Sequence, residues 1–265
     1  MSGAAPAILA EEGHFPPGTD SFNYADWFGG LPKGMITTIT FMVFLGVGLI
    51  ILFFMLANRN PKLVPTRGQW IAESLYGFVR NGIVKDIIGP EGLRFAPYFA
   101  TLFSFILMMN VFAIIPMFQI SPNSHIAFPA VLGVLSWLLY NWVGIKKHGF
   151  WKYIKNSCIP SGTPIGMYPI IVPIEFLSNL ILRPVTLAVR LFANMFAGHM
   201  ILLVFTLGGV ALLNAESVFL RPVSVVSFAM AIVMTFFEFF VQLLQAYVFT
   251  LLTAVYVQGS LADEH

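Results

Sequence analysis

The sequence predicts an all-α membrane protein with about five membrane-crossing helices and one interfacial amphipathic helix, the last two crossings being long and tilted. Of its 265 residues, 58% are hydrophobic and only 10% are charged, whereas soluble domains average about 25% charged residues. The uncharged runs reach or exceed the roughly 20 residues of one span, and barrel strands would instead alternate over about 10 residues. We therefore expect a single helical membrane domain at 34–265, preceded by an N-terminal extracytoplasmic segment at 1–33.

The first two predicted helices differ in their patterns. Residues 34–58 are uncharged and long enough to cross a bilayer, and they end at a basic breaker cluster, Arg59-Asn60-Pro61. In 68–88, apolar residues recur at helical spacing, whereas Glu73 and Lys85 occupy other faces. This second pattern is typical of a helix that lies at the membrane surface.

The remaining runs predict a hairpin and two long helices. Residues 95–145 contain no Asp, Glu, Lys or Arg, and Pro, Ser and Asn divide them at 116–125, which predicts two helices. A lysine-rich loop at 146–155 follows, with a Pro/Gly-containing loop at 160–164. The runs 168–213 and 222–257 exceed one perpendicular span, so we expect both to be tilted.

The basic residues predict the topology. The loops at 59–94 and 146–155 hold most of the Lys and Arg, which places them on the cytoplasmic side. Five crossings then put the N-terminus outside and the C-terminus inside. The formal net charge of +2 is too small to indicate a nucleic-acid partner. One cysteine, Cys158, excludes an intrachain disulfide.

A charged residue, Arg190, lies within an apolar run, which costs about 2.5 to 3.5 kcal/mol on insertion scales. Such residues usually face a protein interior or a wet cavity, and an ion pair with Glu175 or Glu238 is the structural alternative. On a straight helix several polar or small residues share its face within about 40°, namely Asn179, Arg183, Thr186, Asn194 and Ala197.

The last run carries a second polar stripe, in which Glu238, Gln242 and Gln245 are spaced i, i+4, i+7. Such residues can simply hydrogen-bond neighbouring helices. Buried Glu and His are, however, the side chains suited to passing protons. Glu238 and His199 are therefore predicted proton-relay residues.

The segment from Leu187 to His199, LAVRLFANMFAGH, resembles the signature of subunit a of F-type ATP synthases. Leu244-Gln245-Ala246-Tyr247 resembles the matching segment of that subunit's final helix. Further similarity includes Pro173-Ile174-Glu175 before Arg183-Pro184, and Met109-Asn110 with Pro116, so it extends over everything after residue 34. In two respects the chain departs from this pattern: His199 and Glu238 stand where many bacterial relatives have Glu and His, and Ala193 stands where the family often has Gly.

The resemblance implies a non-catalytic, proton-translocating stator subunit in a bacterial plasma membrane, with no cofactor and no metal. Arg190 would be the stator arginine facing the ring of c subunits, and Asn194 and Gln245 its polar neighbours. Glu175 would line the cytoplasmic access path, and the other proton-pathway residues would be His199, Glu238, Gln242, Asn179 and Asn110. The implied partners are the c-ring, the b subunits of the peripheral stalk, the lipid bilayer and, indirectly, the soluble catalytic head.

Two other classes compete with this interpretation. A secondary transporter or a stand-alone ion channel also places polar residues at mid-membrane, but transporters often show internal repeats, and none is evident here. A membrane-embedded hydrolase would need a nucleophile with a base, or a motif such as HExxH, and the sequence has neither. A nucleotide loop of the form GxxxxGK[ST] is also absent.

Overall fold

The computed structural model describes residues 38–59, 61–115, 121–158, 168–214 and 221–262. Within these ranges the chain forms helices and no strand, which confirms the all-α prediction. The α-helices are α1 (Thr38–Ala57), α2 (Arg67–Val79), α3 (Ala96–Val111), α4 (Ala127–His148), α5 (Phe150–Cys158), α6 (Tyr168–Leu177), α7 (Arg183–Leu213) and α8 (Arg221–Leu261). The predicted segment 1–33, Asn60, Pro116, the loop 160–164 and the residues 263–265 lie outside the described ranges.

Five of the described helical stretches are long and apolar enough to cross a membrane, namely Ile39–Ala57, Pro90–Val111, Ala127–His148, Tyr168–Leu213 and Arg221–Leu261. This confirms the predicted number of crossings and the hairpin at 95–145. The last two contain 46 and 41 residues. At 1.5 Å per residue they are about 69 and 62 Å long, roughly twice the hydrocarbon core of about 30 Å. Helices of this length tilt strongly, run partly along the membrane plane or extend beyond the hydrocarbon core.

The predicted basic loop at 146–155 is largely helical. Lys146 and Lys147 form the last turn of α4, and Lys152 belongs to α5. Between the two helices Gly149 has a φ of 81°, and its N–H donates to the carbonyl of Ile145. Glycine adopts this left-handed conformation without a steric penalty, so it ends α4 and turns the chain into α5.

Helix α2 is too short to cross the membrane and has the amphipathic character that the sequence predicts. The Thr66 hydroxyl caps its N-terminus by accepting from the Gln69 N–H at 3.4 Å. A π turn, Arg80–Lys85, continues it. Val79 and Ile83 are fully buried against the bundle, whereas Ile71 is half-exposed. The apolar side of α2 and of the π turn thus faces the protein at Val79 and Ile83 and the bilayer surface at Ile71.

The core of the bundle surrounds α8. Helix α7 packs along it most extensively, α3 and α4 cover other sides, and α1 is peripheral on α3. Close helix contacts depend on small residues: a Cβ at Gly133 of α4 would meet the Pro184 carbonyl oxygen at 2.7 Å, and one at Gly209 of α7 would meet the Phe228 ring of α8 at 3.0 Å. A larger residue at Gly133 would push α4 away from the backbone of α7, whereas one at Gly209 would require the Phe228 ring to shift by a few tenths of an ångström.

A π turn, Ser178–Leu182, joins α6 to α7. Pro184 explains this turn, because proline has no N–H to donate and its ring would clash with the carbonyl four residues earlier in a regular α-helix. The Arg183 N–H donates to the Ser178 carbonyl, five residues back. This wider turn keeps the crossing continuous and changes the direction of the side chains before Arg183.

We expect a cysteine at position 73 to react with a membrane-impermeant maleimide from the cytoplasmic side only. Glu73 is exposed on α2, where it accepts a hydrogen bond from the Gln69 side chain at 2.7 Å, and the basic residues around it predict that α2 lies on the cytoplasmic side. Ile126→Cys, on the opposite connection before α4, is the matched control and should react from outside only. Labelling of Glu73→Cys from outside in intact cells would reverse the topology.

Candidate functional site

The site is built around one polar contact between α7 and α8. The Asn194 side-chain amide donates to the Gln245 amide oxygen at 2.6 Å, and Gln245 is almost completely buried. The two helices are antiparallel here, because Arg183 lies against Tyr256, Gly198 against Glu238 and Gly209 against Phe228. A buried amide pair within apolar packing fixes the register of two helices.

Arg190 lies one turn before Asn194, on the outer face of α7. Its side chain is exposed, and Ala193 and Ala197 on the same face are exposed too. Ala188 and Met195, which lie roughly on the opposite face of the helix, are buried in the core, as is Leu191 between the two faces. Among the described residues one salt bridge is found, between Lys147 and Glu91. Arg190 forms no salt bridge there, so the structure does not support an ion pair of Arg190 with Glu175 or Glu238.

A cavity of about 210 Å³ opens beside Glu238, between α7 and α8, and is lined by Asn194, Gly198, Ile201, Phe237 and Val241. Glu238 is 4% exposed, and its Oε1 accepts from the Gln242 amide at 3.2 Å. Its Oε2 has no hydrogen-bond partner among the described protein groups. Gly198 permits this placement, because a Cβ there would lie 3.3 Å from the carboxylate. A buried carboxyl oxygen without a protein partner is suited to exchanging a proton with water.

A buried chain of amides connects α8 to the segment between α3 and α4. The Asn123 side chain donates to the Asn110 side-chain oxygen at 2.7 Å, and Asn110 donates to the Gln242 carbonyl at 3.3 Å. Both asparagines are fully buried. At the end of this segment, burial lowers the pKa of His125, which favours its neutral form. We name the set of Asn110, Asn123, Glu238 and Gln242 the first polar cluster.

Asn123 belongs to the first polar cluster, although the sequence pattern predicts it only as part of the break between two helices. Ser121, beside it, donates to the Met109 carbonyl at 3.2 Å, so the whole turn folds back over the end of α3. Three polar side chains between two apolar runs (Ser121, Asn123 and Ser124) are the sequence signal that could have identified it.

A second polar cluster lies at the other end of α7 and consists of Tyr140, Glu175, Asn179, Arg183 and Tyr256. The Tyr140 hydroxyl donates to the Asn179 carbonyl at 2.8 Å, and the Asn179 side chain donates to Glu175 at 3.5 Å. The Arg183 guanidinium lies 5.1 Å from the centre of the Tyr256 ring. Asn179 lies in the π turn, which directs this residue towards α4 and α8.

Arg190 lies between the two clusters along α7. It follows Arg183 by seven residues and precedes Gly198 by eight, which corresponds to about 10 and 12 Å along the axis. His199 is partly buried on the first-cluster side of Arg190. The two polar clusters thus lie on opposite sides of Arg190 along α7.

A sequence comparison decides the family. The family model of the ATP synthase A chain matches residues 39–258. The chain belongs to the ATP synthase A chain family. The ATP synthase subunit a of Nocardioides sp. strain JS614 is 41% identical, with 100% of each chain covered. Similar proteins named ATP synthase subunit a occur in Parafrankia sp. strain EAN1pec, 42% identical over 99% of this chain and 90% of the relative, and in Rhodococcus erythropolis strain PR4, 42% identical over 97% and 94%.

Membership of the ATP synthase A chain family confirms the resemblance predicted from the Arg190 segment and agrees with a multi-pass membrane subunit. It favours a part in ATP synthesis and proton transport over the secondary-transporter and stand-alone-channel interpretations. The matched region includes both polar clusters, Arg190 and the Asn194–Gln245 pair.

Proposed function

We propose that this chain is the stator subunit of an ATP synthase membrane sector, with two offset proton half-channels and Arg190 facing a rotating ring of c subunits. The observation that carries the proposal is the position of Arg190. It is an exposed cation within a membrane span, without an ion pair in the described chain, and between two separate polar clusters. A cation in that position is suited to attract an anionic group of another subunit.

The first cluster is the proposed outer half-channel. Its asparagines extend from the segment between α3 and α4 to Gln242, and Gln242 reaches Glu238 beside the cavity. The distribution of the basic residues supports an extracytoplasmic location for this end. Protons would pass along this route by way of Glu238 and His199, which both lie on that side of Arg190.

The second cluster is the proposed inner half-channel. Glu175 and Asn179 supply a carboxylate and an amide next to the cytoplasmic ends of the helices. Glu175 is the carboxylate of this cluster and would be the acidic group of this route. The Arg183 guanidinium lies against the Tyr256 ring.

Arg190 would separate the two routes by charge. A c-subunit carboxylate is attracted to it only when ionised. A proton from the outer route neutralises that carboxylate, which then turns into lipid, and after almost a full revolution it loses the proton to the inner route. Each charge that crosses contributes about 2.3 kcal/mol per 100 mV. Several crossings are therefore needed for each ATP made at the soluble head.

The same proposal assigns a location and further partners. Residues 34–265 form one membrane domain in a bacterial plasma membrane, residues 1–33 lie outside, and the C-terminus is cytoplasmic. The b subunits of the peripheral stalk hold the domain against rotation.

We expect Ala193→Cys and Ala197→Cys each to form a disulfide with a cysteine placed near the c-subunit carboxylate. Both alanines are exposed beside Arg190, and small residues allow close approach of the ring. The measurement is the yield of the crosslinked product in membranes after mild oxidation. Val134→Cys, half-exposed on α4, is the control and should give little product. Equal yields at 134 and 193, or intact complexes without product at 193 and 197, would contradict this rotor-facing surface.

A further inference from the structure

A groove of about 650 Å³ lies away from both polar clusters, between the 3₁₀ turn Pro90–Phe95 and the C-terminal end of α4. Three cationic side chains line it, Arg94, Lys146 and Lys147, with a single carboxylate, Glu91. Positive charge thus predominates at the end of two membrane spans. The basic residues of this chain predict that this end is cytoplasmic.

The three cations differ in how they are held. The Lys147 amine donates to the Leu261 carbonyl at 2.8 Å and lies 3.8 Å from Glu91, so its charge is partly balanced. Lys146 is exposed and lies 5.0 Å from the centre of the Trp142 ring. Arg94 is also exposed, and neither it nor Lys146 forms a salt bridge in the described chain. Two cations at the mouth of the groove are therefore open to an anion.

An exposed apolar stripe leads from this mouth into the membrane. Val131, Leu135, Leu138 and Trp142 follow one another at helical spacing on α4, and Lys146 continues the line four residues later. Their side chains are 58, 48, 50 and 55% exposed. From 131 to 142 the stripe is about 16 Å long, close to half of the hydrocarbon core of about 30 Å.

We propose that this groove binds an anionic phospholipid of the inner leaflet. Its phosphate would lie between Arg94 and Lys146, and one acyl chain would extend along the stripe of Val131, Leu135 and Leu138. A basic pocket between transmembrane helices is suited to such a headgroup. The stripe favours a lipid over a soluble anion, because a free phosphate would leave the apolar residues without a contact. This site is independent of the proposed proton route.

Photolabelling of the assembled complex tests the proposal. Complexes in phosphatidylcholine vesicles receive a small fraction of photoactivatable phosphatidylglycerol, and labelled peptides are mapped by mass spectrometry. We expect labelling of the α4 stripe to fall roughly tenfold in Arg94→Gln/Lys146→Gln. The control, Lys85→Gln/Lys152→Gln, removes two exposed cations that do not line the groove and should label normally.

Further variants and probes identify the molecule that binds in the groove. Arg94→Lys/Lys146→Arg keeps the charge and should retain labelling, which separates loss of binding from loss of folding. Photoactivatable phosphatidylcholine should label the stripe weakly. Unchanged labelling in the double glutamine variant, or an equal loss in the control, would overturn the proposal. So would full displacement of the lipid by inorganic phosphate. A wild-type stripe that stays unlabelled because another subunit covers it would also overturn it.

Discussion

Arg190→Ala is expected to abolish ATP-driven proton pumping and ATP synthesis in assembled complexes. Its side chain extends from the outer face of α7, whereas Ala188 and Met195 are buried on roughly the opposite face, so its truncation leaves the core contacts intact. Without the guanidinium, nothing attracts the ionised rotor carboxylate or separates the two routes by charge. Passive proton leak should rise. The measurement is pumping in inverted vesicles, normalised to subunit content.

Two further variants sharpen this prediction. Arg190→Lys keeps the charge but not the planar fork of donors, and we expect a large loss there too. Arg221→Ala removes an exposed arginine from the first turn of α8, far from Gln245, and should pump almost normally. Near-normal coupled pumping by Arg190→Ala would refute the mechanism.

The second large effect concerns His199 and Glu238. We expect His199→Glu and Glu238→His each to lower pumping strongly when made singly. The double exchange should pump more than either single variant, and roughly tenfold more than the less active one, within the range of couplings between neighbouring groups. The reason is that the double exchange restores one carboxyl and one imidazole to the same half-channel. The Glu238 carboxylate lies against Gly198, the residue before His199.

A composition-matched control is available for the exchange. His199→Glu combined with Glu175→His also contains one new carboxyl and one new imidazole, but it distributes them over opposite polar clusters. We expect its losses to multiply without recovery. Equal activity of the two double variants, or equal loss in all single and double exchanges, would show that His199 and Glu238 are not coupled.

The sequence predicts the helices well, because each span is a long apolar run whose length alone identifies it. It also places Asn194 and Gln245 on polar stripes of α7 and α8, and these two side chains meet. Upstream of Arg183 the helical period predicts the face of a side chain less well. A regular α-helix turns by about 100° per residue, whereas the π turn before Pro184 is wider and redirects Asn179.

Contacts between distant segments account for what the sequence did not reveal. The Asn110–Gln242 bond joins residues 132 positions apart, and the Tyr140–Asn179 bond joins residues 39 apart. Asn123 resembled a turn residue because nothing local indicates that it is buried. A helical period assigns a residue to a face, but it does not say which helix covers that face.

The length of the last two crossings affects how a membrane voltage acts on them. A crossing of about 69 Å, such as Tyr168–Leu213, descends less than half its length if it lies within a core of about 30 Å, so neighbouring turns differ little in depth. Residues well separated along α7 are then displaced mainly sideways. Water that reaches a polar cluster is at the electric potential of the membrane side from which it enters. Most of the membrane voltage would then fall across the short, water-free distance at Arg190 that separates the two clusters.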